Sequence, residues 1–285
     1  MSYEALRTQA RMPVPLSSTG ILACVGLFQK PVMSKAALLM LLAVAQAAAQ
    51  APKAAPKTPH EAAPFDLTGN WVSVVTEDWR WRMLTPAKGD YSSVPLNPEG
   101  KKVADTWDPA KAASDGCKPY GAAGVMREPG RLRIAWADEA TLRIDTDAGL
   151  QTRLLHFDKT SKPQEERTWQ GHSLAEWDLI PQRGGLGVSL QQGPPRVGAL
   201  KVTTTNLRAG YLRTNGVPYS ENTVVTEYFD RLSAYGTDWL TVFTIVEDSR
   251  YLDQPFITST HFKREPDGSK WMHRACEPGS AKSNP

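Results

Sequence analysis

The stretch DLTGNWVSVVTEDWRWRM, residues 66–83, indicates the fold most directly and holds three of the nine tryptophans of this 285-residue chain. Valine and tryptophan favour the pleated, half-buried surface of a sheet, so the stretch predicts the first strand or strand pair of a β-domain. In one continuous strand, Val74 would share a face with Arg80 and Arg82, which would turn that face from apolar to cationic. We therefore predict a bulge or tight turn over residues 76–78 that redirects the side chains.

Most of the chain after residue 130 consists of short runs rich in apolar and β-branched residues, separated by turn residues. Such runs predict β-strands, and the tight turns between the first three predict an antiparallel meander. The predicted strands cover residues 131–136, 141–146, 150–157, 167–171, 173–180, 200–207, 222–231, 238–247 and 255–263. Residues 182–198 and 210–220 are predicted to be loops because glycine and proline are frequent there.

The order of the predicted elements restricts the fold class. No strand alternates with a long helix, which excludes Rossmann and other βαβ architectures. One short helix is predicted to begin after Asn97, where a capping residue precedes Pro98 and an acidic first turn. We predict an all-β chain with a single antiparallel β-barrel of about nine or ten strands, one short helix and long loops. A β-sandwich is the alternative.

The residues before the domain carry the pattern of a secretory signal peptide that starts at Met33. A lysine precedes an apolar core, and small-x-small cleavage sites follow it. The core is too short to span a bilayer, which needs about 20 apolar residues, so we predict no stable transmembrane span. We predict a mis-assigned N-terminal extension over residues 1–32, the signal peptide over 33–50 and a periplasmic or extracellular location.

Composition divides the remainder of the chain into three parts. Residues 51–64 are predicted to be a Pro/Ala-rich linker, residues 65–276 the β-domain and residues 277–285 a disordered tail. The net charge of the whole chain is +3, and residues 1–50 hold four basic residues and one acidic residue. The remainder therefore has no net charge, which disfavours nucleic acid as a partner.

Two cysteines, Cys117 and Cys276, remain after the predicted leader is removed. In an oxidising compartment an even pair predicts one disulfide, which would tie the end of the domain to an early loop. Two free thiols are the alternative.

The Gly69-Asn70-Trp71 sequence resembles the opening of the lipocalin/calycin class, in which the tryptophan of a Gly-x-Trp closes one end of the barrel. The resemblance implies structural roles for Gly69 and Trp71 and a basic residue near the last strand, Lys263 or Arg264, packed on the tryptophan. This domain is longer than a usual lipocalin and lacks a clear amphipathic helix after its last strand.

The chain also resembles an uncharacterised family of secreted bacterial β-rich proteins over residues 65–276, through TGNWVSVVTEDWRWRM, GDYSSVPLN, TWQG, GYLRTNGVPYS and TEYFDR. This second resemblance implies export and a β-rich domain but no activity.

The motifs of common catalytic and metal sites do not occur in the sequence. There is no His-x-His, no His-Glu-x-x-His and no zinc-type cysteine pair, so we predict no metal and no cofactor. There is also no Gly-x-Ser-x-Gly elbow, and the catalytic residues, if any, stay unknown.

The stronger pattern combines arginines, carboxylates and tyrosines on strand faces and loops. Arginine can hold a ligand carboxylate or phosphate with two parallel hydrogen bonds. The candidate ligand-binding residues are Glu77, Arg80, Arg82, Arg133, Arg143, His156, Tyr211, Arg213, Tyr219 and Glu227.

These observations favour an exported β-barrel that binds a small, partly apolar ligand in its interior, with arginines at an anionic end of the ligand. One alternative is a barrel enzyme of the isomerase, hydratase or cyclase type, in which Glu77, Glu227 or His156 moves a proton. Another is an envelope-associated structural or interaction module. The competing interpretation is that the arginines lie on an outer face of the strands, where water solvates them. The sequence does not determine the oligomeric state.

Overall fold

The computed structural model describes residues 57–111, 116–179 and 198–276, and these contain thirteen β-strands and two short α-helices. The helices are α1 (Trp79–Arg82) and α2 (Pro98–Ala104), and single 3-10 turns cover Lys118–Tyr120 and Val125–Arg127. The strands are β1 (Gly69–Val74), β2 (Arg131–Asp138), β3 (Thr141–Thr146), β4 (Ala148–Gly149), β5 (Gln151–His156), β6 (His172–Leu179), β7 (Gly198–Thr205), β8 (Gly210–Arg213), β9 (Val217–Tyr219), β10 (Val224–Ala234), β11 (Thr237–Glu247), β12 (Phe256–Glu265) and β13 (Arg274–Ala275).

Nine of the described strands close into one barrel, in the order β1, β12, β11, β10, β7, β6, β5, β3 and β2. This confirms the predicted all-β single barrel. The neighbouring strands are antiparallel except for β5 and β6, which form a parallel pair two residues long. The parallel pair arises because residues 157–171 carry the chain back along the barrel before β6 begins. Outside the barrel, β8 and β9 form a hairpin, and β4 pairs with β13.

Three local predictions are wrong. The turn predicted over residues 76–78 is present at Asp78, whose backbone is left-handed (φ 51°), but residues 79–82 form the helical turn α1 instead of a strand. Residues 167–171 make only one isolated bridge, from Thr168 to Leu207, and Gly171 is also left-handed (φ 59°). Residues 210–220 were predicted to be a loop but contain the β8–β9 hairpin.

The predicted short helix is present as α2. The side chain of Asn97 accepts a hydrogen bond from the Gly100 amide at 2.8 Å, and Pro98 occupies the first helical position. The helix buries Gly100 and Ala104. It ends at Ala104.

We call the end of the barrel at which β1 ends the upper end. Because neighbouring strands alternate in direction, the upper end also receives the connections over residues 75–130, 206–223 and 248–255. The opposite, lower end holds the short turns between β2 and β3 and between β10 and β11. The long connections that carry most of the loop sequence therefore meet at one end of the molecule.

Aromatic rings cover the lower end. Phe157 contacts both Trp136 and Trp177, with ring centroids 5.3 and 5.6 Å apart, and Phe65 contacts Trp177 at 5.1 Å. His60 stacks on Trp136 at 4.7 Å, so part of the segment predicted as a linker packs on the barrel. Within the described ranges, no helix has the length and apolar character that crossing a membrane requires.

The Gly-x-Trp opening of β1 packs against a basic residue of β12. Trp71 is fully buried, and its indole N–H donates to the Leu67 carbonyl at 3.0 Å. The guanidinium of Arg264 lies over the Trp71 ring at 5.4 Å. A Cβ atom at residue 69 would lie 2.8 Å from Arg264 Nη2, and φ there is +128°, so both space and backbone favour Gly69. Lys263 is exposed, and its neighbour Arg264 makes the contact instead.

The barrel interior is filled by apolar side chains on either side of a polar layer. One core contains Trp71, Leu155 and Phe229, and a second, at the upper end, contains Tyr219 and Phe256. The polar layer contains Arg153 and Glu227, both fully buried, together with Ser173, Thr204 and Thr244.

The disulfide between Cys117 and Cys276 is present, with the two Cα atoms 4.8 Å apart. It holds the end of the described chain beside the long upper connection. The predicted extension and signal peptide lie outside the described residues, as do most of the 182–198 loop and the 277–285 tail.

Candidate functional site

The site is built on α1, whose helical geometry separates two arginines that a strand would have placed on the same face. Successive residues of a helix turn by about 100°. The Arg82 side chain therefore points inward and is 1% exposed, whereas the Arg80 side chain points outward and is 66% exposed. The turn at Asp78 thus decides which of the two arginines enters the protein.

Arg82 makes contacts with two of its three guanidinium nitrogens. Its Nε donates to the Arg127 carbonyl at 2.8 Å, and Nη1 donates to Glu77 Oε1 at 2.6 Å. Its Nη2 has no hydrogen-bond partner in the part of the chain that the structure describes. Burial lowers the pKa of Arg82 and the neighbouring charge of Arg127 adds to this, although the Glu77 carboxylate opposes the change.

Arg127 ends the 3-10 turn Val125–Arg127 and is 5% exposed. Its Nη2 donates to Asp78 Oδ2 at 2.8 Å, while Nη1 has no hydrogen-bond partner within the described ranges. The guanidinium carbon lies 5.5 Å from the centre of the Phe256 ring. Arg127 therefore joins the long upper connection to the start of β12.

Arg213 is the last residue of β8 and is 3% exposed. None of its three guanidinium nitrogens has a hydrogen-bond partner among the described residues. Its guanidinium carbon lies 4.9 Å from the centre of the Trp81 ring, a cation–π distance. Burial lowers the pKa of Arg213 to about 10, with a further contribution from the charge of Arg127, while Asp78 and Asp90 act in the opposite direction. Arg213 is still protonated at neutral pH.

We call Arg82, Arg127 and Arg213 the arginine cluster. Five of their nitrogen atoms have no hydrogen-bond partner in the described protein: Nη2 of Arg82, Nη1 of Arg127 and all three of Arg213. Two carboxylates neutralise part of the charge, because Glu77 binds Arg82 and Asp78 binds Arg127. The remaining positive charge and the free donors suit a carboxylate or phosphate group.

Asp90 and Asn215 hold the rim of the cluster. The Trp81 indole N–H and the Arg80 Nη2 both donate to Asp90 Oδ2, at 3.1 and 2.7 Å. The amide nitrogen of Asn215, a fully buried residue, donates to the carbonyls of Ala87 and Asp90 at 3.1 and 3.0 Å. These bonds fix Trp81, and hence the ring beneath Arg213, to the connection that follows α1.

Glu77 connects the cluster to a histidine. Its Oε1 binds Arg82, and its Oε2 lies 3.1 Å from His261 Nδ1 and 2.5 Å from the Thr76 hydroxyl. Burial would raise the pKa of Glu77, but the hydrogen bonds from Thr76 and His261 and the charge of Arg82 outweigh it, so the pKa is lowered. Glu77 is therefore a carboxylate that can orient the His261 ring.

An open cleft adjoins the cluster through Phe256. It has a volume of about 570 Å³ and is lined by Val94, Pro95, Pro255, Phe256 and Ile257, with Ser93 and Gln254 at its edge. Arg127 lies over the ring of Phe256, which also lines this cleft. The cleft is large enough for a small apolar group.

The structure brings together three of the ten candidate ligand residues, Glu77, Arg82 and Arg213, with Arg80 at their rim. Arg133 and Arg143 lie on the outer surface of the barrel, where they contact Trp271 and Asp145. This agrees with a solvated face for that pair.

The other four candidates lie elsewhere. Glu227 binds Arg153 in the barrel interior, and His156 stacks on His172 at the β5–β6 seam. Tyr211 contacts Lys118, and the Tyr219 hydroxyl lies among the backbones of Gly121 and Gly210. Burial raises the pKa of Tyr219.

The sequence prediction omitted Arg127, and it did not assign Trp81 to a ligand site. Arg127 lies in a connection without periodicity, so no strand or helix pattern indicated the direction of its side chain. The only available signal was the length of the connection over residues 85–130, since long ordered loops in compact domains are often functional.

No protein-family model matches this chain, and no curated protein matches it in sequence. The described residues contain no group of three or more His, Cys, Asp or Glu side chains arranged to hold a metal ion.

Proposed function

We propose that this protein is an exported β-barrel that binds a small anionic ligand at the arginine cluster. The observation that carries the proposal is Arg213, a guanidinium that is 3% exposed and has no hydrogen-bond partner among the described residues. The proposal moves the ligand from the middle of the barrel to its upper end, because Arg153 and Glu227 occupy the middle.

The energetics of burial support an anion at this position. Leaving a buried polar group without a partner costs about 1–3 kcal/mol, and more when the group is charged. Arg127 adds like charge beside it, since the charge of Arg127 lowers the pKa of both Arg82 and Arg213. A carboxylate or phosphate between these side chains would accept their free N–H groups and offset the repulsion.

The surroundings also suggest the form of the ligand. The Trp81 ring already covers one face of Arg213, so a planar anionic head can approach the edge of the guanidinium. The cleft beside Phe256 offers an apolar wall on the other side of Arg127. A carboxylate or phosphate ester with a short apolar or aromatic body fits this combination better than inorganic phosphate does.

Export belongs to the same proposal. The Cys117–Cys276 disulfide is typical of an oxidising compartment and ties the long upper connection, which carries Arg127, to the end of the described chain. The signal-peptide pattern from Met33 and the resemblance to secreted β-rich proteins support the same location.

A thermal-shift screen tests the proposal. Aliphatic and aromatic carboxylates and phosphate monoesters are compared with their neutral amide and alcohol counterparts. We expect a higher melting temperature with anionic members only, because only they can accept hydrogen bonds as anions from the cluster. Arg213→Met should abolish the shift, whereas the control Arg143→Ala, which removes an exposed arginine, should retain it. Equal shifts with neutral counterparts, or an unchanged shift in Arg213→Met, would contradict the proposal.

A second candidate function is the removal of a proton from the bound ligand by His261. It rests on the Glu77–His261 contact, which lies directly beside Arg82 and has the arrangement of an oriented base. Glu77→Gln would remove the charge that orients the ring. Retained ligand binding with lost turnover would favour an enzyme, and retained binding without any turnover in the wild-type protein would leave binding as the function.

A further inference from the structure

A second cleft lies on the outside of the barrel, at the parallel pair of β5 and β6. The two strands pair only through Leu155 with Ser173 and His156 with Leu174. Beside the unpaired part of β5, the connection over residues 161–171 forms the opposite wall of a cleft of about 540 Å³. Leu154, at 44% exposure, is one of the cleft residues.

The opposite wall is held in place by hydrogen bonds to other parts of the molecule. The Asn206 side chain donates to the Gln164 carbonyl at 2.9 Å, and the Arg208 amide donates to the Thr168 carbonyl at 2.8 Å. The Gln170 amide nitrogen donates to the Tyr120 carbonyl and to Gln151 Oε1, at 2.8 and 2.9 Å. The cleft is therefore pre-formed, which reduces the ordering cost of binding.

The lining of the cleft is rich in uncharged hydrogen-bonding groups. Hydroxyl and carboxamide side chains dominate, one tryptophan (Trp169) and one leucine supply apolar area, and Lys162 and Glu166 carry opposite charges. The two imidazoles of His156 and His172 stack at 5.4 Å at one end of the cleft. Burial lowers the pKa of His156 and the neighbouring His172 adds to this, while Asp138 and Asp158 act in the opposite direction, so the ring is neutral at physiological pH.

We propose that this cleft binds a neutral carbohydrate. Sugar hydroxyls donate and accept at once, which matches carboxamides, hydroxyls and imidazoles, and the apolar face of a sugar ring suits tryptophan and leucine. A charged ligand finds no net charge here, in contrast to the arginine cluster. The volume lies in the range of small-ligand sites and accommodates one or two sugar rings.

A saccharide titration tests this second site on the full-length protein. Glucose, N-acetylglucosamine, cellobiose and chitobiose are titrated by calorimetry into the wild-type protein and into two variants. Leu154→Glu places a charged side chain at the cleft, and the control Leu232→Glu makes the same change at a residue of β10 that is 60% exposed. We expect binding of at least one saccharide, weakened at least about tenfold in Leu154→Glu and unchanged in Leu232→Glu.

Two results would overturn the carbohydrate site: no heat with any of the four saccharides, or equal binding by both variants. The two sites can be tested separately. Leu154→Glu should keep the anion-dependent thermal shift, and Arg213→Met should keep saccharide binding, so failure of one site does not imply failure of the other.

Discussion

Arg153 and Arg213 are two buried arginines on strands of the same protein, 0% and 3% exposed, but only Arg153 has a carboxylate partner. Arg153 donates from Nη1 and Nη2 to both oxygens of Glu227, at 3.1 and 2.5 Å, and from Nη2 to the Thr204 hydroxyl at 3.4 Å. Arg213 has the Trp81 ring beside it and no hydrogen-bond acceptor in the described chain.

The difference shows that burial of a charge does not by itself indicate function. A buried arginine with a bidentate carboxylate is internally compensated, so removing it breaks the fold and exposes no site. A buried arginine without an acceptor destabilises the folded protein. Such unpaired groups are concentrated at sites where a ligand supplies the missing hydrogen-bond acceptor. The Arg153 pair is therefore structural, whereas Arg213 is the residue on which the proposed anion site rests.

The largest expected effect comes from breaking the interior pair. Arg153→Met leaves the Glu227 carboxylate buried without its partner, so the free energy of unfolding should fall by about 3–5 kcal/mol. Chemical denaturation measures this fall in the free energy of unfolding. The double variant Arg153→Met/Glu227→Leu should recover most of the loss, because it removes both charges together. A single variant that costs less than about 1 kcal/mol would show that the pair is not internally compensated.

The opposite change in the free energy of unfolding is expected when Arg213 is replaced. Arg213→Met replaces an uncompensated buried charge with an apolar side chain of similar length, so the free energy of unfolding without added ligand should rise by about 1–3 kcal/mol. The same denaturation experiment, run in a buffer without carboxylate or phosphate, tests this predicted rise. If this variant is destabilised as strongly as Arg153→Met, the distinction between the two arginines is wrong.

A third prediction uses the titration of Arg213. Its pKa of about 10 lies below the usual arginine value, so Arg213 in the ligand-free protein loses its charge as the pH rises through that value. Binding of an anion favours the charged form, and affinity should therefore be constant below pH 10 and fall by up to about tenfold per pH unit above it. Calorimetry between pH 8 and pH 11 measures the slope, with near-UV circular dichroism as the control for folding. A constant affinity across this range would place the anion away from Arg213.

The smallest effect is expected at an exposed arginine. Arg143 pairs with Asp145 on the same strand and is half exposed, so solvent screens the pair. Arg143→Ala should change the free energy of unfolding by less than about 1 kcal/mol and leave the anion-dependent thermal shift intact. A larger loss would mean that the outer face of β3 contributes more to stability than its exposure indicates.

Much of the fold was predictable because strand formation follows a local pattern. Most of the observed barrel strands differ from the predicted ranges by one to three residues, and Asn97 and Pro98 marked the start of α2. Two of the three wrong predictions, at residues 79–82 and 167–171, lie at a residue with positive φ, Asp78 and Gly171 respectively. The change of face along residues 72–82 indicated a turn over residues 76–78, where Asp78 lies, but it did not indicate that a helical turn follows.

The candidate site was predictable only in part. Glu77, Arg82 and Arg213 were selected for their chemistry, and the fold brings them together from the beginning and the later part of the domain. Arg133 and Arg143 satisfied the same criteria, yet they face solvent. Alternation along a strand separates two faces but does not tell which face points inward when both carry polar residues.

The sequence alone predicted an all-β chain that begins its first strand with a Gly-x-Trp, and a disulfide between Cys117 and Cys276. Those properties depend on local periodicity, backbone preference and residue type. Only the tertiary structure decided that Arg153 meets Glu227, 74 residues away, and that Arg213 meets no acceptor among the described residues. Whether a charged group finds its partner depends on strand register, barrel closure and the placement of loops, and these arise from contacts between distant parts of the chain.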